Sequence, residues 1–356
     1  MILEKNKYNL IFIGTPDFSV PTLQTLISDG RFNISAVITA PDAKVGRKQI
    51  VTPPPVKVIA EKNNFKILQP AKISAITKEI KNLNPDVIII IAYGQIIPLE
   101  IINIPKHGCL NLHASLLPNY RGASPIQAAI ANGDQETGVT LMKINAELDA
   151  GDIITQEKVK INNCLPREGG DPVDNTRDSR FHGNDKLETG ASLHDKLAEL
   201  SAGVTKKHLV DYLAGKLKPQ PQNDTQATFA PKLTRANGRI DWNKPAEIIE
   251  RLIRAYYPWP GTWSKLNLPR EIIPSKTELP QGGISQGKTL KIISATVISN
   301  NKSHLPGTIF LHKNKLAVQC KQDAILINQL QLEGKKQTTS QEFMTGHAEI
   351  IGIVLK

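Results

Sequence analysis

Asn111 and His113 stand two positions apart in the run GCLNLHAS, just ahead of Leu116, Leu117 and Pro118. In an extended strand, side chains two apart point to the same face. An amide and an imidazole aimed at one spot can donate to an oxygen on which negative charge develops, and the imidazole can also move a proton. The same pair could instead satisfy backbone groups at a strand end. Asp149 lies in Leu148-Asp149-Ala150-Gly151-Asp152, between two apolar runs. Brought back to the same crevice, its carboxylate would fix the histidine's tautomer and favour the cationic form. Asp and Gly are equally at home in a plain turn.

Other chemistries have less support. Gly14-Thr15-Pro16-Asp17 falls where a dinucleotide fold carries its glycine fingerprint, but GxGxxG is absent and Pro16 and Asp17 would not welcome a pyrophosphate. This disfavours a nicotinamide dehydrogenase. The sequence has neither a Walker phosphate loop nor HExxH, and His107, His113, His182 and His194 lack metal-ligand spacing. The three cysteines, Cys109, Cys164 and Cys320, form no CxxC pair, which argues against a disulfide framework or a zinc site. Cys109 sits in an apolar run and reads as a buried structural thiol rather than a nucleophile.

The surrounding elements place these groups. YNLIFIG at 8–14 reads as a buried strand, Val20 to Ile27 as an amphipathic helix and ISAVITA at 34–40 as a second strand. That rhythm implies a parallel sheet with right-handed crossovers. Residues 41–55, with one glycine, basic residues and three consecutive prolines, are expected to form an irregular loop. Helices are expected at about 56–63, 74–83 and 125–132. Strands are expected at 85–94, 107–115, 138–144 and 152–161, the last two side by side. Four or five strands separated by helices make an open, doubly wound, Rossmann-like α/β domain, whose ligands bind at the carboxyl ends of its strands. Residues 164–186 are almost without aliphatic side chains and read as an exposed or disordered insert, after which a helical pattern resumes. Residues 218–231 read as a linker. AEIIERLIRAYY is an amphipathic helix, and alternating runs at 290–298, 306–320 and 324–333 fit a small OB-like β-barrel. The expected domains are 1–217, the linker 218–231 and a basic 232–356.

A chain of 356 residues suits two domains. No apolar run reaches the roughly 18 residues needed to span a bilayer, and the first residues lack a signal-peptide layout, so a cytoplasmic protein is expected. Nothing demands more than a monomer. The net charge of +11 is unevenly spread: residues 1–205 hold 22 basic and 22 acidic side chains, residues 206–356 hold 22 and 11. A neutral part joined to a basic one suggests a polyanion partner for the second. A basic surface kept for solubility, or one that meets a membrane, would show the same charge.

Taken together, IFIGTPDFSVPTL, PDAKVGRKQIVTPPPVK, VIIIIAYGQIIP, GCLNLHASLLPNYRGASPIQ and ETGVTLMKINAELDAGDII resemble the folate-dependent formyltransferase superfamily. The basic loop, with TFAPKL, RIDWNKPAEIIERLIRAYYPWPGTW and PGTI, narrows the resemblance to its methionyl-tRNA formyltransferase family, nearly end to end. The resemblance implies an enzyme that uses 10-formyltetrahydrofolate and needs no metal. Initiator methionyl-tRNA would be its other substrate. It implies Asn111, His113 and Asp149 as the catalytic trio and Ser115, Leu116, Leu117 and Pro118 as a folate-binding stretch. Gln95, Ile96 and Ile97 would receive the pterin ring. Arg47, with Lys48, would meet the tRNA acceptor end, although a loop arginine can also be merely solvated. The 164–186 segment has no counterpart in that pattern and resembles peptides encoded by mobile palindromic elements inserted in frame in some bacteria. No catalytic role is expected for it. Residues 267–289 are also longer and richer in Gly and Pro than the pattern. The rival readings are a formyltransferase for a small amine (a sugar nucleotide or glycinamide ribonucleotide) and a non-catalytic tRNA-binding protein.

Overall fold

The structure is a computed structural model that describes residues 7–46, 48–163, 187–267, 287–300 and 304–356. They fall into two compact units. The first lies within Met1–Ile126, Glu136–Lys160 and Ser192–Lys232, the second within Gln127–Gln135, Ile161–Ala191 and Leu233–Lys356.

The chain opens with strand β1 (Tyr8–Gly14), helix α1 (Val20–Ser28) and strand β2 (Phe32–Ile38). Leu10 to Ile13 are fully buried, as are Leu23 and nearly Leu26 on the inner face of α1. Pro21 in the first turn of α1 loses nothing, because its missing N–H would have no helical partner there. Next come β3 (Ala43–Val45), β4 (Ile50–Thr52), α2 (Pro55–Lys62), β5 (Ile67–Leu68), α3 (Thr77–Asn82) and β6 (Val87–Ile91). All five residues of β6 are buried, as expected of a central strand covered on both faces. Then follow α4 (Leu99–Ile102), β7 (Cys109–His113), α5 (Pro125–Asn132), β8 (Glu136–Lys143), β9 (Ile153–Lys160) and α6 (Gly190–Leu213).

Seven strands form one sheet in the order β5-β2-β1-β6-β7-β8-β9. It is parallel from β5 through β7, and β8 and β9 add on antiparallel. The connections reverse direction between β1 and β6, which opens a crevice beyond the carboxyl ends of the central strands. β7, which carries Asn111 and His113, lies directly beside β6.

The expectation of an irregular loop at 41–55 is corrected. Ala43–Val45 and Ile50–Thr52 pair as an antiparallel hairpin. Its turn has positive φ at Gly46 and Gln49, and the Gln49 N–H donates to the Gly46 carbonyl at 3.2 Å. The three prolines lie beyond the second strand, so they do not obstruct the ladder. All six strand residues are exposed, which left no apolar alternation to read.

In the second unit, helix α7 (Ala246–Ala255) buries Ala246, Ile249 and Ile253 at helical spacing. They pack with Leu290, Ile292, Ile327 and Leu330 of the sheet beside them. That sheet has β10 (Thr262–Leu266), β11 (Lys288–Ile298), β12 (Ile309–His312), β13 (Lys315–Gln319), β14 (Ala324–Leu332) and the short β15 (Thr338–Thr339), followed by helix α8 (Ser340–Thr345). The order is β10-β11-β14-β13-β12, all antiparallel, with β15 on β14. The chain's last residues bond to both ends of this order. Ile309 N–H donates to Ile353 O at 2.9 Å, and Lys265 N–H donates to Lys356 O at 2.7 Å. The tail thereby closes the sheet into a barrel and covers its edges.

The expected insert, 164–186, and most of 267–289 lie outside the described residues. The chain on either side of the insert is pinned. The Glu188 N–H donates to Asn162 O at 3.0 Å, and Arg254 Nη1 donates to Asn163 Oδ1 at 2.9 Å and Glu188 O at 2.8 Å. Arg254 also pairs with the buried Glu250 at 2.7 Å. Burial pushes the Glu250 carboxyl above its ordinary range, although Arg254 pulls it down. Because its folded pKa is raised, Glu250 costs the fold nothing below its unfolded pKa and progressively more as pH rises through the folded one. Removing only the cation should be worse than removing both charges. Arg254→Met is expected to destabilise the second unit by about 3–5 kcal/mol, because it leaves an uncompensated buried charge. Urea unfolding should show the Glu250→Leu/Arg254→Met double variant to be more stable than Arg254→Met alone.

Candidate active site

β7 presents Asn111 and His113 on one face, while Leu110 and Leu112 face the core. His113 is only 6% exposed. Its Nε2 lies 2.9 Å from the Tyr120 carbonyl oxygen, which can only accept, so Nε2 carries a hydrogen. Its Nδ1 lies 3.7 Å from Asp149 Oδ2, too far for a direct hydrogen bond but close for a charge pair. Among the described residues Nδ1 makes no direct hydrogen bond, so that side of the ring is available to a third group. The Asn111 amide, half-buried, makes no hydrogen bond among the described residues, so its donors are also available.

Asp149 reaches this point from the loop between β8 and β9. Its backbone is left-handed, with φ +50°, a conformation that Asp tolerates better than most residues. The Gly122 N–H donates to its Oδ2 at 2.8 Å. Two residues on, a Cβ at Gly151 would stand 1.9 Å from Lys143 O, so the loop can close over β8 only with glycine there. On the other side of Asp149's peptide, Gln222 Nε2 donates to Asp149 O at 2.8 Å and Gly151 O at 2.7 Å. Residues 218–231, expected as a linker, therefore lie back along the first unit. Ile153 and Gln220 exchange backbone hydrogen bonds of 2.8 Å, while the Arg121 N–H donates to Thr228 O and the Ala230 N–H donates to Arg121 O, both at 2.8 Å.

The segment after β7 is held from beneath. Thr140 Oγ1 donates to Ser115 O at 2.6 Å and accepts from Leu117 N–H at 3.1 Å. Gln156 Nε2 donates to Leu117 O at 2.8 Å and to Thr140 Oγ1 at 2.9 Å. Ser115 Oγ donates to Asn119 O at 2.5 Å. Leu117 is buried, and Leu116 leans over Gly138, whose absent Cβ would meet its Cδ2. Ser115, Leu116 and Leu117 thus point inward, and what this stretch offers a ligand is mostly backbone. Pro118 is half-buried.

Gln95, Ile96 and Ile97 lie beyond the carboxyl end of β6. Gln95 Oε1 accepts from Ile73 N–H at 2.9 Å, which fixes the loop. Ile97 joins the core, and Ile96 is 89% exposed. Lys48 lies exposed in the turn between β3 and β4; Arg47 lies outside the described residues. Among the described residues no group of three or more His, Cys, Asp or Glu side chains could hold a metal ion, and no helix is long and apolar enough to cross a membrane. Cys109 and Cys320 are buried free thiols whose pKa burial pushes up to about 12, which leaves them poor nucleophiles.

Some of these groups could not have been found from spacing. The acceptors and donors around His113 and Asp149 come from the backbone of Tyr120 and Gly122, and Gln222 is 73 positions from Asp149. Only Thr140 left a trace, as a polar residue in an apolar run whose place in the ladder is opposite His113.

An open, mostly parallel sheet with an amide, an imidazole and a carboxylate gathered at one strand end, followed by a closed antiparallel barrel, defines a class. The chain matches the family model for formyl transferase over residues 8–168 and that for the formyl transferase C-terminal domain over residues 232–348. It is 40% identical over 341 residues to the methionyl-tRNA formyltransferase of Halalkalibacterium halodurans, covering 95% of this chain and 94% of that one. It is 37% identical to the enzyme of the same name from Caldanaerobacter subterraneus, covering 98% and 99%. The chain belongs to the methionyl-tRNA formyltransferase family. Among solved structures, its fold is similar to that of an N-formyltransferase from Helicobacter canadensis in complex with folinic acid and dTDP-3-aminofucose. That match has TM-score 0.57 at 19% identity, covering 89% of this chain and 98% of that one. HypX from Aquifex aeolicus in complex with tetrahydrofolic acid shares the fold at TM-score 0.55 and 17% identity, covering 95% of this chain and 47% of HypX.

Proposed function

We propose that this chain transfers the formyl group of 10-formyltetrahydrofolate to the α-amine of methionyl initiator tRNA, giving N-formylmethionyl-tRNA for translation initiation in the cytoplasm. Residues 1–217 form the catalytic domain, 218–231 connect, and the basic 232–356 bind tRNA. One observation carries the reading: the free donors of Asn111 and the Nδ1 side of His113 share one strand end, with the Asp149 carboxylate 3.7 Å from that nitrogen.

The uncharged methionine amine attacks the formyl carbon, and the carbonyl oxygen of the resulting tetrahedral intermediate becomes negative. Asn111 Nδ2 and the Nδ1–H of cationic His113 donate to that oxygen. Asp149 stabilises the imidazolium and, through water, helps carry a proton from the attacking amine to the departing folate nitrogen. Collapse of the intermediate breaks the bond between the formyl carbon and N10, releasing tetrahydrofolate. The segment Ser115, Leu116, Leu117 and Pro118 and the backbone of Gln95, Ile96 and Ile97 bind the folate, and the exposed Ile96 offers the pterin an apolar surface. Arg47 and Lys48 contact the acceptor end of the tRNA.

Phosphate contacts position the RNA without reading its sequence, so the Km for charged tRNA should rise steeply with salt. Arg47→Ala is expected to weaken use of charged tRNA and leave folate binding intact. An equal loss of both, measured by acceptor titration and folate fluorescence quenching, would remove Arg47 from that role. The acceptor itself is tested by competition among methionyl initiator tRNA, glycinamide ribonucleotide and an amino-sugar nucleotide. Preference for the charged tRNA is expected; transfer to a small amine alone would replace this reading with the rival one.

A further inference from the structure

One side-chain amide joins the two loops that flank His113. Gln222 Oε1 accepts from Arg121 Nε at 3.1 Å and Nη2 at 2.8 Å, while its Nε2 donates to the carbonyls of Asp149 and Gly151 at 2.8 and 2.7 Å. The amide can face only one way. Arginine donates and never accepts, and backbone carbonyls only accept, so its oxygen meets the guanidinium and its nitrogen the two carbonyls. Arg121 is itself buried and held by Asp224 at 2.6 Å. Arg121 stands between Tyr120, whose carbonyl accepts from His113 Nε2, and Gly122, whose N–H donates to the Asp149 carboxylate.

We propose that Gln222 is a positioning residue that sets the distance and angle between Asp149 and His113 by tying the Asp149 backbone to the Arg121 loop. This rests on the catalytic reading of Asp149 above. The left-handed backbone of Asp149 is costly for a side-chain-bearing residue. Without the two Gln222 bonds the loop can relax, and the carboxylate moves with it. The Gln222 side chain bonds Arg121 and the Asp149 and Gly151 carbonyls, so it acts on turnover through Asp149 and leaves substrate affinity alone.

Two replacements separate the parts. Gln222→Ala removes both sets of bonds. Gln222→Glu keeps an acceptor for Arg121 and sets a carboxylate oxygen against the Asp149 and Gly151 carbonyls, so it tests the loop tie in a protein whose Arg121 remains paired. Each is expected to lower kcat about 10- to 100-fold, the scale that small misplacements of a reacting group produce, with both Km values within about twofold. The deciding measurement is a double-mutant cycle. In an Asp149→Asn background, Gln222→Ala should cause no further loss in kcat, because residues acting as one unit are not additive. A full, multiplicative loss in that background would make Gln222 a general structural support and overturn the proposal, as would wild-type kcat in both Gln222 variants. If Asp149→Asn alone were fully active, the reading of Asp149 would fail instead, which keeps the two failures apart.

Discussion

Asn111→Ala should lower turnover about 100- to 1,000-fold, the usual cost of deleting one donor to a developing oxyanion, with little change in stability. The contrast between the two effects is the point of the prediction. The Asn111 side chain is half-buried and makes no hydrogen bond among the described residues, so truncation orphans no partner. Its backbone remains in register with Ile90 and Met142. A donor that the fold does not use, on a strand that the fold holds on both sides, suits the oxyanion role proposed for it. Single-turnover formyl transfer and urea unfolding on the same preparation check this. Near-normal turnover in a folded Asn111→Ala protein would exclude the amide from the reaction.

His113→Ala should cost at least as much turnover, and here stability should fall too. Removing the ring takes away the 2.9 Å hydrogen bond to the Tyr120 carbonyl, worth about 0.5–1.5 kcal/mol. It also removes the ring that lies 3.7 Å from the Asp149 carboxylate. His113→Gln separates the two contributions. An amide at this position can still donate to Tyr120 O but cannot be cationic, so stability should recover toward wild type while turnover stays low. If His113→Gln restored turnover along with stability, the ring would be a scaffold for the 120–122 loop and not a reacting group.

The sequence made legible whatever depended on short-range pattern. β6 is a run of Val and Ile buried on both faces, β7 carries the alternation that sets Asn111 and His113 apart from Leu110 and Leu112, and α7 buries residues at helical spacing. The resemblance added Asp149 to the other two. What could not be read is long-range or made by backbone. The β3–β4 hairpin has no buried face and therefore no periodic signal. The barrel is closed by the last five residues, through hydrogen bonds to β10 and β12 that any side chain could accompany. Composition makes 218–231 look like a tether, yet Gln222 and the backbones of Gln220, Thr228 and Ala230 bond it to the loops around Asp149 and Arg121. Polar, proline-bearing segments look alike in sequence whether or not their hydrogen bonds are made to the protein.

The stretch proposed to bind folate illustrates the same limit. Leu116 and Leu117 suggest an apolar wall for a ligand, but both side chains turn inward. Their peptide groups are fixed by Thr140 and Gln156 from the neighbouring strands. A binding surface made of oriented backbone tolerates many side chains, so it leaves a weak mark on composition and a clear one in geometry.

The most direct measurement follows the formyl carbon. Wild-type protein is mixed with methionyl initiator tRNA and 10-formyltetrahydrofolate labelled in that carbon, and the aminoacyl ester is hydrolysed and its amino acid analysed. The account predicts label on the methionine nitrogen, one equivalent for each tetrahydrofolate released. Label that stays on the folate, or leaves as free formate while the methionine remains unmodified, would contradict it.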